Sequence, residues 1–179
     1  CPEKAISQKV KEIGKVRLGV TNEKIFFVDG ILNIGEIAAA PLIKEVKKKI
    51  ISGEINILDS PPGTSCSMVE TVKESDFCIL VTESTPFGLN DLKLAIDVLR
   101  TIAIPFAVVI NKYEPSFYEM ENYLRDNKID VLLKIPFERK FAESYSEGVL
   151  PVNKYQYIKE DFVLLYKKII ERTEKVNVG

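Results

Sequence analysis

The sequence predicts an α/β fold, a mostly parallel sheet with helices on both faces. Three observations predict it. Short apolar runs recur at residues 55–58, 77–82, 106–110 and 131–134. The stretches between them place apolar residues at helical spacing, and the links are short. Strands buried on both faces read as near-continuous apolar runs rather than alternating ones. Strands that alternate with helices pair in parallel.

The elements follow in order. Residues 1–24 are punctuated by Gly and charge and offer at most edge strands. Residues 25–28 read as a strand, and Gly30 and Gly35 bracket a loop. Residues 38–51 read as a helix with Pro41 in its first turn and Leu42, Val46 and Ile50 on one face. Residues 55–58 are expected as a buried strand and 64–74 as a short helix. Residues 77–82 form the next strand. The helix at 90–101 turns Leu92, Ala95, Ile96 and Leu99 inward, with Asn90 or Asp91 as its cap. A third strand at 106–110 precedes a helix at 116–127. A fourth at 131–134 runs into Ile135-Pro136-Phe137. A helix at 138–146 stops at Gly148. The closing helix at 159–172 turns Phe162, Leu165, Tyr166 and Ile169 inward.

The chain has 179 residues, is 46% hydrophobic and carries a net charge of −1. That supports one core-forming domain and argues against a general nucleic-acid binder, which would carry a basic excess. No apolar run reaches the roughly 20 residues of a membrane span. Histidine is absent, which removes Ser-His and Cys-His catalysis and His-ligated metal sites from these residues. Three cysteines without a pairing pattern suggest a reducing, cytoplasmic setting.

Chemistry concentrates where apolar runs end. The run at 55–58 ends in Asp59, and the chain turns through Pro61, Pro62 and Gly63 to Thr64. In open α/β sheets, ligands bind beyond the carboxyl ends of the strands. A carboxylate there needs a partner, such as a metal-bound water, a lysine or an amide; the plainer alternative is an acid that caps the following helix. Pro restricts the turn and Gly permits close backbone approach to a phosphate. Asn111 and Lys112 follow the run at 106–110, where Asn alone reads equally as a turn residue. Pro136 and Phe137 follow the run at 131–134 and could serve a ligand or the core. Glu83, Thr85, Pro86 and Phe87 lie beyond another strand end and suggest a partner or dimer contact. Cys66 reads as an exposed thiol or a small buried filler, and Cys78 as core.

Three segments in this order, Ile57 to Cys66, Val81-Thr-Glu-Ser-Thr-Pro-Phe-Gly-Leu89 and Val109-Ile-Asn-Lys112, resemble the MinD/ParA/nitrogenase-iron-protein class of P-loop ATPases. The resemblance covers roughly residues 1–150. It is nearest to the MinD-like subgroup with an inserted ferredoxin domain, although Ser84 and Asn90 depart from that pattern. It implies that Asp59 orients Mg²⁺ through water and that Pro61, Pro62, Gly63 and Thr64 sense the terminal phosphate of ATP. It also implies that Asn111 and Lys112 bind the nucleotide, with Asn111 on the adenine edge, and that Pro136 and Phe137 pack on the base. Cys1-Pro2 resembles the end of a ferredoxin cysteine run, so Cys1 would ligate a 4Fe-4S cluster only in a longer parent. Residues 1–24 would then close the insert, and residues 25–179 would be the C-terminal part of the ATPase domain.

The class requires a Gly-rich phosphate loop with a Lys, and the only Gly-Lys pair, Gly14-Lys15, lacks the rest of that motif. The sheet is accordingly expected to be incomplete at its N-terminal strand. Either the strands at 55–58 and 77–82 close up and pair directly, or another chain fills the slot. These residues alone are expected to be inactive. The parent is expected to hydrolyse Mg·ATP with an iron–sulfur or redox protein partner, and a homodimer is a further possibility the resemblance implies; nucleic acid and membrane are not expected. The rivals are a MinD/ParA-like positioning ATPase and a nucleotide-free scaffold.

Overall fold

The computed structural model describes residues 9–176. They form two compact units that divide after Thr71. Cys1 lies outside the described residues.

The first unit is built on an antiparallel hairpin, β1 (Gly14–Val20) and β2 (Phe26–Leu32), in continuous register from Gly14 opposite Leu32 to Val20 opposite Phe26. Arg17 stands opposite Asp29 and donates to it from both Nε, at 3.0 Å, and Nη2. The pair holds the arginine pKa up and the aspartate pKa down, chiefly through the side-chain hydrogen bond. Helix α1 (Ala40–Lys47) packs Leu42 and Val46 over the hairpin. A Cβ on Gly30 would meet Leu42 Cγ at 2.9 Å. Gly30 is therefore a place where a helix approaches a strand closely, and not the start of the expected loop. The loop begins after Leu32 and contains Gly35 at a φ of 86°.

The buried strand expected at 55–58 does not form. No strand of the described residues pairs with it, and Ile55 and Ile57 are 63% and 91% exposed. Asn56 supplies a local reason. Its carboxamide donates to the carbonyls of Ile51 and Glu54 at 2.9 and 2.8 Å and accepts from the Ile51 amide at 3.1 Å. Side-chain bonds of this kind compete with a sheet ladder for the backbone. The expected direct pairing of 55–58 with the next strand is overturned as well. The short helix α2 (Cys66–Val72) follows.

The second unit contains a three-stranded parallel sheet in the order β3 (Cys78–Glu83), β4 (Phe106–Tyr113), β5 (Val131–Pro136). Alternate residues of β4 serve opposite faces. Val108 and Ile110 join Leu92 and Ile96 of α3 (Pro86–Thr101) and Met120 and Leu124 of α4 (Tyr118–Asp126). Ala107 and Val109 join Leu132 of β5 and Leu165 of the closing helix. After β5 come α5 (Arg139–Ser146), α6 (Pro151–Lys154) and α7 (Gln156–Val176). Helices thus cover both faces, as the sequence predicts. Two expectations are corrected. Helix α3 starts at Pro86, capped by Thr85, rather than at Asn90. On α7, Leu165 and Ile169 pack inward while Phe162 and Tyr166 stay 41% and 49% exposed.

Candidate functional site

In the second unit the carboxyl ends of three parallel strands bring polar residues into register. Glu83, the last residue of β3, pairs directly with Asn111 of β4. On the other side of β4 the ladder is broken. Ile110 pairs with Lys134 and Tyr113 with Pro136, so Asn111 and Lys112 together oppose Ile135 alone. This is a β-bulge, which bends a strand and re-aims its side chains. Lys112 takes the left-handed conformation the bulge demands, at a φ of 48°.

Polar contacts brace the bulge from both sides. Lys112 donates its backbone N–H to Asn111 Oδ1 at 3.0 Å, and its Nζ lies 2.7 Å from Glu83 Oε1. Beyond the bulge, the Tyr113 hydroxyl donates to Glu121 of α4 at 2.5 Å. Glu121 also pairs with Lys134, whose Nζ sits 4.6 Å from the centre of the Tyr113 ring. The Lys134 hydrogen bond is the main reason the Glu121 carboxyl is held low, with Tyr113 second; the same contact with Glu121 holds the Tyr113 phenol up.

The turn from β3 into α3 fixes Glu83. Thr82 Oγ1 donates to the Gly88 carbonyl at 2.9 Å, Gly88 N–H donates to Thr85 Oγ1 at 3.0 Å, and Thr85 N–H donates to the Glu83 carbonyl at 2.8 Å. A Cβ on Gly88 would lie 2.3 Å from that same carbonyl oxygen. Only glycine fits so close to the backbone of the site. Phe87 projects from this turn, 84% exposed.

At the end of β5, Pro136 is half-buried and Phe137 is 70% exposed, so Phe137 is not a core residue. The next helix is clasped at its start. Lys140 pairs with Glu138 and stands 4.7 and 5.2 Å from the ring centres of Tyr157 and Tyr155. The Tyr157 hydroxyl lies 3.2 Å from Glu138 Oε2. The Glu138 contact, ahead of that with Tyr157, raises the Lys140 pKa.

The first unit holds Asp59, Pro61, Pro62, Gly63 and Thr64. Asp59 is exposed and does not end a strand. Its carboxylate makes no hydrogen bond or ion pair among the described residues. The expected cost of burying its charge therefore does not arise, and it does not cap α2, which starts well downstream at Cys66. Gly63 has a φ of 90° with nothing within 4 Å of the place a Cβ would take. Its requirement for glycine is conformational and leaves open space beside the backbone. Pro61 and Pro62 are exposed and Thr64 is half-buried.

An exposed, unpartnered carboxylate fits contact with the hydration shell of a phosphate-bound Mg²⁺. The described residues contain no cluster of three or more acids or cysteines that could hold a metal alone. They do not fit an iron–sulfur cluster, which takes about four thiolates. Cys66 is exposed, and burial pushes the Cys78 thiol up to about 11. Sequence reasoning named Glu83 without finding its role and passed over Tyr113. The available signal was register: Glu83 and Asn111 each close an apolar run of two neighbouring parallel strands.

No family model matches the chain. The sequence is 36% identical over 149 residues to an uncharacterized protein of Methanocaldococcus jannaschii, covering 80% of this chain and 50% of that protein. It is 25% identical over 131 residues to an uncharacterized ATP-binding protein of the same organism, covering 69% and 48%. It is 23% identical over 150 residues to that organism's iron-sulfur cluster carrier protein, covering 74% and 52%. The chain therefore spans about half the length of the curated relatives it matches. Among solved structures it resembles the MinD cell division protein of Aquifex aeolicus, with a TM-score of 0.63 at 16% identity over 86% of this chain and 68% of that one. It also resembles the cell division ATPase MinD of Pyrococcus furiosus, with a TM-score of 0.56 at 22% identity over 76% and 59%. The likeness to the two MinD structures shows the fold, an α/β arrangement of parallel strands covered by helices that this chain shares with them.

Proposed function

We propose that these residues supply the base-reading edge and the phosphate switch of an ATPase of the MinD/ParA/nitrogenase-iron-protein class. In this reading a Gly-rich loop outside the present sequence grips the phosphates. The cycle of Mg·ATP binding and hydrolysis is coupled to a ferredoxin-like iron–sulfur domain, for cluster handling or electron transfer in the cytoplasm. The observation that carries the reading is the Asn111–Lys112 bulge at the carboxyl end of β4, where open α/β sheets bind ligands. The relatives named as an ATP-binding protein and an iron-sulfur cluster carrier support the two halves of the proposal.

The residues divide the work. Asn111 reads the adenine edge, while Lys112 shapes the turn that presents it. Phe137, projecting from the end of β5 behind Pro136, gives the base an apolar surface to lie against. Gly63 brings its amide to the terminal phosphate, and the segment from Pro61 to Thr64 changes conformation when that phosphate leaves. Bound Mg²⁺ supplies charge neutralisation at the phosphates. Asp59, with no protein partner to release, orients the water shell. A homodimer and an iron–sulfur protein are the partners this reading implies.

The test is Asp59→Asn in the protein that presents these residues together with a Gly-rich loop. Steady-state turnover should fall about 10- to 100-fold, as for loss of an outer-shell metal partner, while ATP affinity changes little. Unchanged turnover overturns the assignment. The present residues alone should show no hydrolysis and only weak binding of Mg·ATP, and submicromolar affinity by isothermal titration would overturn that.

A further inference from the structure

We propose that Glu83, through its ion pair with Lys112, is the positioning residue that holds Asn111 in the orientation selecting adenine over guanine. This rests on the reading of Asn111 as the base contact and adds the device that sets its specificity.

The argument begins with an asymmetry of the Asn111 carboxamide. One side of the group meets the Lys112 backbone N–H at 3.0 Å. A backbone N–H only donates, so the atom facing it has to be the amide oxygen. The nitrogen then faces away, and it has no hydrogen-bond partner among the described residues. The oxygen keeps its second lone pair. Asn111 therefore offers one donor and one acceptor in a fixed order.

Adenine matches that order. Its exocyclic amine donates beside ring nitrogens that accept, and a carboxamide pairs with that edge through two hydrogen bonds. Guanine carries a carbonyl in place of the amine. Presented with the same fixed carboxamide, it sets oxygen against oxygen. An amide free to rotate by half a turn could offer its nitrogen to the guanine carbonyl instead, and discrimination would fall.

What prevents the rotation is the Lys112 N–H, carried by the peptide that joins Asn111 to Lys112. The plane of that peptide is held between the strand at Asn111 on one side and the left-handed Lys112, at a φ of 48°, on the other. A residue with a Cβ holds that conformation at a steric cost, which a side-chain tether helps to offset. The support visible here is the side chain of Lys112, with Nζ 2.7 Å from Glu83 Oε1. Glu83 is itself fixed by direct register with Asn111 and by the turn that seats Gly88 against its carbonyl. The ion pair spans from the strand next door across the residue it orients. Both partners are about half exposed, at 52% and 45% for the side chains, so the effect is modest in size.

The experiment compares Mg·ATP and Mg·GTP dissociation constants by equilibrium titration, in the protein that presents this edge with its phosphate loop. Glu83→Gln should reduce the preference for ATP about three- to fivefold, the scale of an exposed ion pair, with the melting temperature unchanged. Lys112→Gly keeps the left-handed turn accessible but removes the tether, and should reduce the preference similarly. The double exchange of Glu83→Lys with Lys112→Glu should restore it. Asn111→Ala serves as the control for the underlying reading and should abolish the preference. If Asn111→Ala leaves the preference intact, the base-reading assignment is wrong. If Asn111→Ala abolishes it while Glu83→Gln and Lys112→Gly do not change it, the base reading stands and the positioning role of Glu83 is overturned. A loss in Glu83→Gln that the double exchange does not rescue also overturns it.

Discussion

The two units use apolar residues in opposite ways. In the second, β4 sends Val108 and Ile110 into one buried cluster and Ala107 and Val109 into another, so these four residues are packed under helices on both faces. In the first, Leu42 and Met68 are buried while Ile34, Ile37, Ile55 and Ile57 stand exposed. Apolar burial is the main source of stability. The free energy that holds β4 in place therefore comes from packing, whereas the segment with Asp59 and Gly63 runs through bends and carries a side-chain hydrogen bond from Ser60 Oγ to the Pro61 carbonyl at 3.1 Å. A rigid edge suits the reading of a base. A segment with few buried contacts opens at low cost, which suits an element that must change state.

The sharpest way to break this comparison is truncation. Leu124→Ala in the second unit should cost about 2–5 kcal/mol, the range for a buried leucine. Ile57→Ala should stay within about 0.5 kcal/mol, as for an exposed site. Urea unfolding followed by circular dichroism measures both. Comparable losses would mean that residues 55–58 are packed as a strand in solution. Glycine exchange sharpens the contrast. Gly88→Ala forces a Cβ against the Glu83 carbonyl at 2.3 Å and should cost about 1–3 kcal/mol through overpacking. Gly63→Ala meets no neighbour and should cost about 1–2 kcal/mol of backbone strain alone. Thermal melts of the two variants separate a steric requirement from a conformational one only if a crystal structure shows the β3–α3 turn displaced in the first case. A smaller effect than either glycine exchange is expected at the anchor beyond the bulge. Tyr113→Phe removes one hydrogen bond to Glu121 and should cost about 0.5–1.5 kcal/mol, leaving the Lys134–Glu121 pair in place. A larger loss in the same unfolding assay would show that the hydroxyl organises the bulge.

The second unit was legible in the sequence because its strands and helices carry their own partners. The runs at 77–82, 106–110 and 131–134 became β3, β4 and β5 with shifts of one to three residues at their ends. The run at 55–58 carried the same apolar signal, but a strand also needs a neighbour, and composition does not show whether one is supplied. Gly30 misled in the other direction. It reads as loop punctuation, yet it is missing a side chain so that Leu42 and Val46 can approach. Phe162 and Tyr166 fit the helical period but lie at the margin of the face that α7 buries, where period alone does not set the limit. At the site, the residue types at the strand ends were legible and the bulge was not. Nothing in Asn-Lys announces a left-handed lysine.

That extra residue in β4 also acts as a change of reading frame. Side chains along a strand alternate, so Phe106, Val108 and Ile110 share a side and strict alternation would place Tyr113 opposite them. It does not stand there: Tyr113 packs with the same cluster as Val108 and Ile110. The two residues at 111 and 112 count as one step. Deleting either would remove the bulge and leave a single residue between Ile110 and Tyr113, so plain alternation would keep Tyr113 on the side of Glu121 and Lys134. The Asn111–Lys112 pair and the tyrosine anchor are thus separable by counting. A chain that lost one residue here would lose the left-handed turn and keep its grip on α4, so the bulge is an addition to the strand rather than a condition of its anchorage.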